Sequence, residues 1–120
     1  MTIEIINHPF AKVVGLKITS KIEAQDIEQI TQIIEEKLKS ESKLSIYAEV
    51  EDWSGISVKA FIKDLQFSLK HIKDFEKEVI VSDSKWLKKL AEIYNSLFSS
   101  IDVQHFNFAD QDKAWEYVGQ

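Results

Sequence analysis

The sequence predicts an α/β domain of element order β-β-α-β-α-β-α-β-α, built on a mixed, mostly parallel sheet with an antiparallel edge strand. Three observations lead there. Short β-prone runs alternate with longer segments whose apolar residues recur at helical spacing, the pattern of parallel strands joined by right-handed crossovers. Residues 11–19 and 43–51 alternate apolar and polar side chains, whereas a strand covered by helices on both faces reads as a near-continuous apolar run. The stretch from Tyr47 to Trp86 reads as strand, acidic-aromatic turn, long helix, second strand and the start of another helix, which is one complete crossover.

In chain order, residues 3–7 are a short β-prone run, and Pro9 after His8 marks a turn. The alternation over 11–19 puts Val14, Leu16 and Ile18 on one face and Val13, Gly15, Lys17 and Thr19 on the other. Residues 23–39 carry Ile27, Ile30, Ile34 and Leu38 as a helical stripe widened by Ile33, and Ser20 with Glu23 has the spacing of a capping box. The polar link 39–43 feeds a strand over 43–51, with Leu44, Ile46, Ala48 and Val50 opposite Ser45, Tyr47, Glu49 and Glu51. Both alternations predict helices mostly on one side of the sheet, leaving the face of Lys17, Tyr47 and Glu49 comparatively open.

After a turn at 52–57, a helix through Lys73 has Val58, Phe61, Ile62, Leu65, Leu69 and Ile72 as its expected buried stripe, with Phe67 off it. Residues 78–82 form the next strand. Asp83 or Ser84 caps a helix through Phe98 whose stripe is Leu87, Leu90, Ala91, Tyr94 and Leu97. A last strand covers 101–108, and Asp110 opens a terminal helix in which Ala114, Trp115 and Val118 dock. No linker or low-complexity tract interrupts this order, so residues 1–120 read as one domain whose crossovers step steadily across the sheet.

Composition narrows function by exclusion. The 120 residues suffice for one continuous core. The absence of cysteine excludes disulfides and thiolate chemistry and makes a reducing cytoplasm the expected setting. Neither a leader pattern nor an apolar window of roughly 20 residues is present, so the chain reads as soluble, with no integral membrane segment. A net charge of −5, with all 15 basic residues lysine and no arginine, argues against nucleic acid as a partner. No glycine-rich phosphate loop, nucleophile elbow or zinc signature appears, so no cofactor, metal site or catalytic residue is assigned.

The succession of elements, with Asp52-Trp53-Ser54-Gly55 after the third strand, the helix end Leu69-Lys70-His71 leading to Phe75, Val81-Ser82-Asp83 followed by Trp86, and KAWEYV near the end, resembles the SpoIIAA-like bacterial domains. These are related to the STAS domains and more distantly to the CRAL-TRIO lipid-binding domains. The resemblance covers essentially the whole chain. It implies a βα superhelix, usually found in proteins that bind partners or apolar ligands. It also implies a switch serine near the start of the helix after the third strand, in an Asp-Ser-Ser-Gly motif. Here the region reads Asp52-Trp53-Ser54-Gly55-Ile56-Ser57, without the double serine.

The candidate site gathers at that bend, because strand C-termini and helix N-termini converge where open α/β sheets bind ligands. Its residues are Asp52, Trp53, Ser54, Gly55 and Ser57, joined by Phe67, His71 and Trp86. Each has a plainer role as well. Ser57 is a natural helix N-cap, Asp52 a turn former, and Trp53 either covers the core edge or presents an aromatic surface. His71 with Asp74 is the only His-acid pair at close helical spacing, and a histidine at a helix C-terminus is favoured by the dipole alone. Eleven aromatic residues from Trp53 to Tyr117 exceed what one βα layer readily hides, and surplus apolar surface marks a pocket or an interface.

The leading expectation is therefore a non-enzymatic domain that binds a small apolar ligand or a regulatory protein, as a homodimer. An enzyme using Asp52, His71 and Asp74 in an apolar cleft, and a phospho-switch at Ser54 or Ser57, are the alternatives.

Overall fold

Five strands, β1 (Ile3–Ile5), β2 (Val13–Ile18), β3 (Leu44–Val50), β4 (Phe75–Val81) and β5 (Asp102–Phe106), line up in sequence order in the computed structural model, which describes residues 3–51 and 53–120. β1 runs antiparallel to β2, with Ile3 opposite Ile18, and every later pair is parallel. The order follows from three crossovers that step in one direction with their helices on one side. Those helices are α1 (Ala24–Lys37), α2 (Val58–Lys70) and α3 (Lys85–Leu97).

The period-two alternation sorts the sheet's side chains as the sequence predicts. Val14, Leu16, Ile18, Leu44, Ile46 and Val50 join the core under α1–α3. Val13, Tyr47, Val79 and Val81 point to the opposite face. That face is not open. A turn of 3-10 helix (Phe108–Asp110) leads into α4 (Gln111–Gly119), which lies beneath the sheet and buries Ala114 and Val118 against it.

Tyr47 is completely buried there. Its ring stacks on Trp115 at 3.6 Å between centroids and 19° between planes. Its hydroxyl donates to Glu49 Oε1 at 2.8 Å, and Gln111 of α4 donates to the same carboxylate oxygen. The hydroxyl's pKa is raised, mainly by burial. Lys77 Nζ donates to the Tyr117 carbonyl at 2.9 Å, and the Tyr117 hydroxyl donates to the Asp102 carboxylate. Gly15 leaves room on this face, where a Cβ would lie 3.0 Å from His8 Cδ2 and 3.3 Å from the Ile6 carbonyl oxygen and would press both back by a few tenths of an ångström.

Three boundaries move for local reasons. α1 is capped at Glu23, whose backbone N–H donates to Asp26 Oδ2 at 2.7 Å, so the box spans 23–26 and not 20–23. α2 stops at Lys70, and β4 starts at Phe75, three residues before the expected start. A register shift in the β3–β4 ladder between Leu44 and Ile46 pairs those residues with Phe75 and Glu78, so Phe75 and Glu78 both lie toward the helices.

The larger departure is the face α2 presents. Of its expected buried stripe, Val58, Ile62 and Leu69 are 77%, 49% and 61% exposed. The helix instead buries Ala60 and Ser68 and turns Asp64 and Phe67 inward. Both ends fix this rotation. Ile22 N–H donates to the Gly55 carbonyl at 3.0 Å, Ser57 N–H donates to the Ile22 carbonyl at 2.9 Å, and Ser57 Oγ accepts from Ala60 N–H at 3.1 Å. At the other end, His71 is held by Glu35 of α1 and by Asp74.

The lower layer should be as necessary as the upper one. Trp115→Ala is expected to lower unfolding free energy by about 3 kcal/mol, the usual cost of deleting a packed aromatic, read as an earlier urea midpoint. A loss below about 0.5 kcal/mol, the range of a surface change, would mean that α4 does not hold the sheet.

A carboxyl pair in an apolar cavity

Between the sheet and helices α1–α3 lies a cavity of about 140 Å³. The sheet supplies Leu16, Ile46, Ala48 and Ile80 as its floor, α1 adds Ile27 and Ile34, and α3 adds Leu87 and Ala91. Native interiors are close-packed, with few voids larger than a water molecule. A space this size under α2 therefore follows from the helix having turned its bulky Ile62 and Leu69 outward.

Two acids belong to this otherwise apolar lining. Glu78 comes from β4, in phase with Ile80, and Asp64 from the inner side of α2. Tyr94 of α3 donates its hydroxyl to Asp64 Oδ2 at 2.8 Å. Both acids are half-buried residues that line the cavity. Burial pushes the Glu78 pKa up to about 8, assisted by the Asp64 charge, and burial raises Asp64 as well, against the opposing Tyr94 hydrogen bond. Burial and the neighbouring acids likewise raise the Tyr94 hydroxyl. None of the residues lining the cavity is basic.

The residues singled out from sequence fall in three places. Trp53 is half-buried and lines the cavity, as does Phe67, whose ring lies 5.8 Å from Phe75 and 4.7 Å from His71. Gly55 and Ser57 shape the bend next to it. Gly55 has φ +102, a left-handed conformation that suits glycine, and Ser57 caps α2. Ser54 is exposed in the same bend. Asp52 lies outside the described residues. Trp86 is 53% exposed on the first turn of α3 and does not line the cavity.

His71 closes the far end of α2. Its Nδ1 is 2.8 Å from Asp74 Oδ2 and its Nε2 3.2 Å from Glu35 Oε2. The two carboxylates sit at opposite ring nitrogens, and among the described residues no three His, Asp or Glu side chains form a metal cluster. The bend at 53–57 and His71 stand at opposite ends of a helix about 20 Å long at 1.5 Å per residue. His71 with Asp74 therefore fastens α2 to α1 and to the turn before β4, far from the bend.

Asp64 and Glu78 escaped the sequence reading, and Tyr94, expected in the buried stripe of α3 and found there, was not connected with a site. A signal was present: Glu78 alternates in phase with Ile80, and Asp64 lies four residues after Ala60 and three before Phe67 on one helical edge.

The stepwise parallel sheet, with three helices above and one below, defines a βα-superhelical α/β domain. The chain belongs to the SpoIIAA-like family, whose sequence model matches residues 13–119. Among solved structures it is similar to an uncharacterised protein with a SpoIIAA-like fold from Shewanella loihica PV-4, at 20% identity and a TM-score of 0.74, over 97% of this chain and 93% of that one. At that identity the likeness concerns the fold. No curated protein matches the chain. Among the described residues, no helix is long and apolar enough to cross a membrane.

The acid pair sets a pH dependence with a definite sign. A carboxyl whose folded pKa exceeds its unfolded value stabilises most below the unfolded value, here 4.5, and that contribution is lost as pH rises through about 8. His8 and His105, lowered chiefly by burial, act in the opposite direction, costing stability as pH falls through 6.5. The interval above 6.5 therefore isolates the acids: Glu78 from β4 and Asp64 from α2, with the Tyr94 hydroxyl from α3 remaining protonated. At pH 8.5, Glu78→Gln is expected to raise the thermal midpoint above wild type by at least about 4 °C, the shift that about 1 kcal/mol produces in a domain of this size. Its advantage should shrink toward pH 5. Equal midpoints at both pH values would show that Glu78 is solvated.

Proposed function

We propose that this protein is a non-enzymatic binding domain that holds a small, largely apolar ligand between its sheet and helices α1–α3. The observation that carries this reading is the cavity itself. It is lined by aliphatic and aromatic side chains with a few convergent polar groups, the composition of small-molecule sites. Apolar cavities of about 150 Å³ admit a benzene-sized body. Trp53 and Phe67 form part of its wall, whereas Ser54 and Ser57 belong to the turn and cap that position α2. A cytoplasmic setting accompanies this reading, in keeping with the cysteine-free composition.

Protein recognition has its own support. Val58, Ile62 and Leu69 of α2 and Trp86, Ile93 and Leu97 of α3 are exposed. α2 lies beside α3 through the Asp64–Tyr94 hydrogen bond and the Phe61–Tyr94 ring contact at 6.3 Å. A second copy of this chain meeting the first along α2 and α3 would cover both rows. This second reading concerns the outer surface of the helices, and the ligand reading their inner surface.

Benzyl alcohol serves as a neutral probe of the cavity. At a hundredfold excess over its Kd it should stabilise the protein by about 2.7 kcal/mol, seen as a rise in thermal midpoint. Ala48→Phe, which fills the floor, should abolish the rise while the variant remains folded. No rise with wild-type protein refutes the ligand reading. For the second reading, light scattering on the eluting protein should give twice the 13.9 kDa chain mass, falling to one chain mass in Ile62→Glu/Leu69→Glu; a wild-type monomer would refute it.

A further inference from the structure

We propose that the ligand is a small amine, with its apolar body seated between the sheet and the helices and its ammonium group lodged between the carboxyls of Asp64 and Glu78. The inference rests on the ligand reading above and specifies its chemistry. Glu78 is half-buried, lines the cavity and makes no side-chain hydrogen bond among the described residues. A carboxyl without a hydrogen-bond partner on the wall of an apolar space leaves its acceptor positions to whatever enters. Asp64 is only partly satisfied, since a carboxylate has about four acceptor positions and Tyr94 fills one.

The surroundings select the sign of the missing partner. No lysine or histidine lines the cavity to receive an anion, and the only ionisable carboxyls there become negative, never positive. An ammonium group offers three donors and relieves the repulsion between the two carboxylates. Phe67, Phe75 and Tyr94 line the same space and present aromatic surface to a cation. The net charge of −5 favours approach of cations over anions.

Because burial favours the protonated acids, an amine must displace at least one carboxyl proton to bind as an ion pair. Its affinity therefore rises with pH while the amine itself stays charged. A neutral alcohol of the same shape has no such requirement, and a carboxylic acid would bind better as pH falls.

Calorimetric titrations of wild type with benzylamine, benzyl alcohol and benzoate test this. At about pH 8, benzylamine should bind at least about ten-fold tighter than benzyl alcohol, as expected for charge-assisted hydrogen bonds, and benzoate should bind more weakly than either. Benzylamine affinity should climb between about pH 6 and about pH 8, with proton release detected as a buffer-dependent heat. Glu78→Gln and Asp64→Asn should each bring the benzylamine-to-benzyl alcohol affinity ratio down to about one. Should benzyl alcohol bind as tightly as benzylamine, or benzoate tighter, the amine assignment is wrong and the cavity reading survives. Should none of the three bind, both are wrong.

Discussion

The orientation of α2 is the constraint on which the rest of the upper layer depends. Fully burying Val58, Ile62 and Leu69 would contribute on the order of 1.5–3 kcal/mol for each side chain, yet the helix leaves all three largely in solvent. Its two ends explain why. The Ile22–Ile56 bridge and the Ser57 cap fix where the helix starts, and His71 between Glu35 and Asp74 fixes where it finishes. Between them the Lys63–Glu28 and Lys70–Glu35 pairs tie α2 to α1 along the surface, and those lysines hold both glutamates below the ordinary carboxylate range. Exposed pairs contribute little to stability, so they direct the packing more than they strengthen it.

The two sides of the sheet consequently have different characters. Beneath it, α4 is joined by stacked rings and directed hydrogen bonds to Tyr47, Glu49, Lys77 and Asp102, an arrangement with little freedom to adjust. Above it, the apolar layer encloses a space and two acids. A close-packed lower layer gives the cavity floor a rigid backing, since β3 and β4 supply both surfaces with alternate residues. Tyr47 and Val79 point down, while Ile46, Ala48, Glu78 and Ile80 point up. The same pleat thus fixes the lower face and positions the acid in the upper one.

The strands were legible because period two has a single solution when one face must be buried. Val14, Leu16, Ile18 and Leu44, Ile46, Val50 could not all reach the core in any other register. The docking residues Ala114 and Val118 of α4 were legible from their helical spacing. α2 was not, because its sequence contains two edges at helical spacing. The more apolar one, through Val58, Ile62 and Leu69, outcompetes the edge through Ala60, Asp64, Phe67 and Ser68, although Phe61, Leu65 and Ile72 of the expected stripe do pack against the core. Which edge turns inward is decided by anchors at Ile22, Glu35 and Asp74, and no local pattern registers those. Glu78 was hidden similarly. Its alternation with Ile80 was present, but Val79, Ile80 and Val81 are three consecutive β-branched residues, so which of them faced the helices was decided by the pairing of Ile46 with Glu78. Conflicts between local preference and global fold of this kind are expected where a protein departs from stability for function.

The location of the cavity also shows why the bend drew attention without containing the whole answer. In open α/β sheets the strand C-termini and adjoining helix N-termini form the usual crevice, and here Val50, Glu51, Trp53, Asp83, Ser84 and Phe108 line a groove at that edge. Trp53 borders this groove and the interior cavity alike. The loop that carries it is held against the start of α1 by Gly55 and Ile56, whose left-handed turn brings the indole over the core. An aromatic residue in a connecting loop reads equally as core cover or as exposed surface when only the sequence is known. In the folded chain it is both, because the core it covers contains an opening of its own.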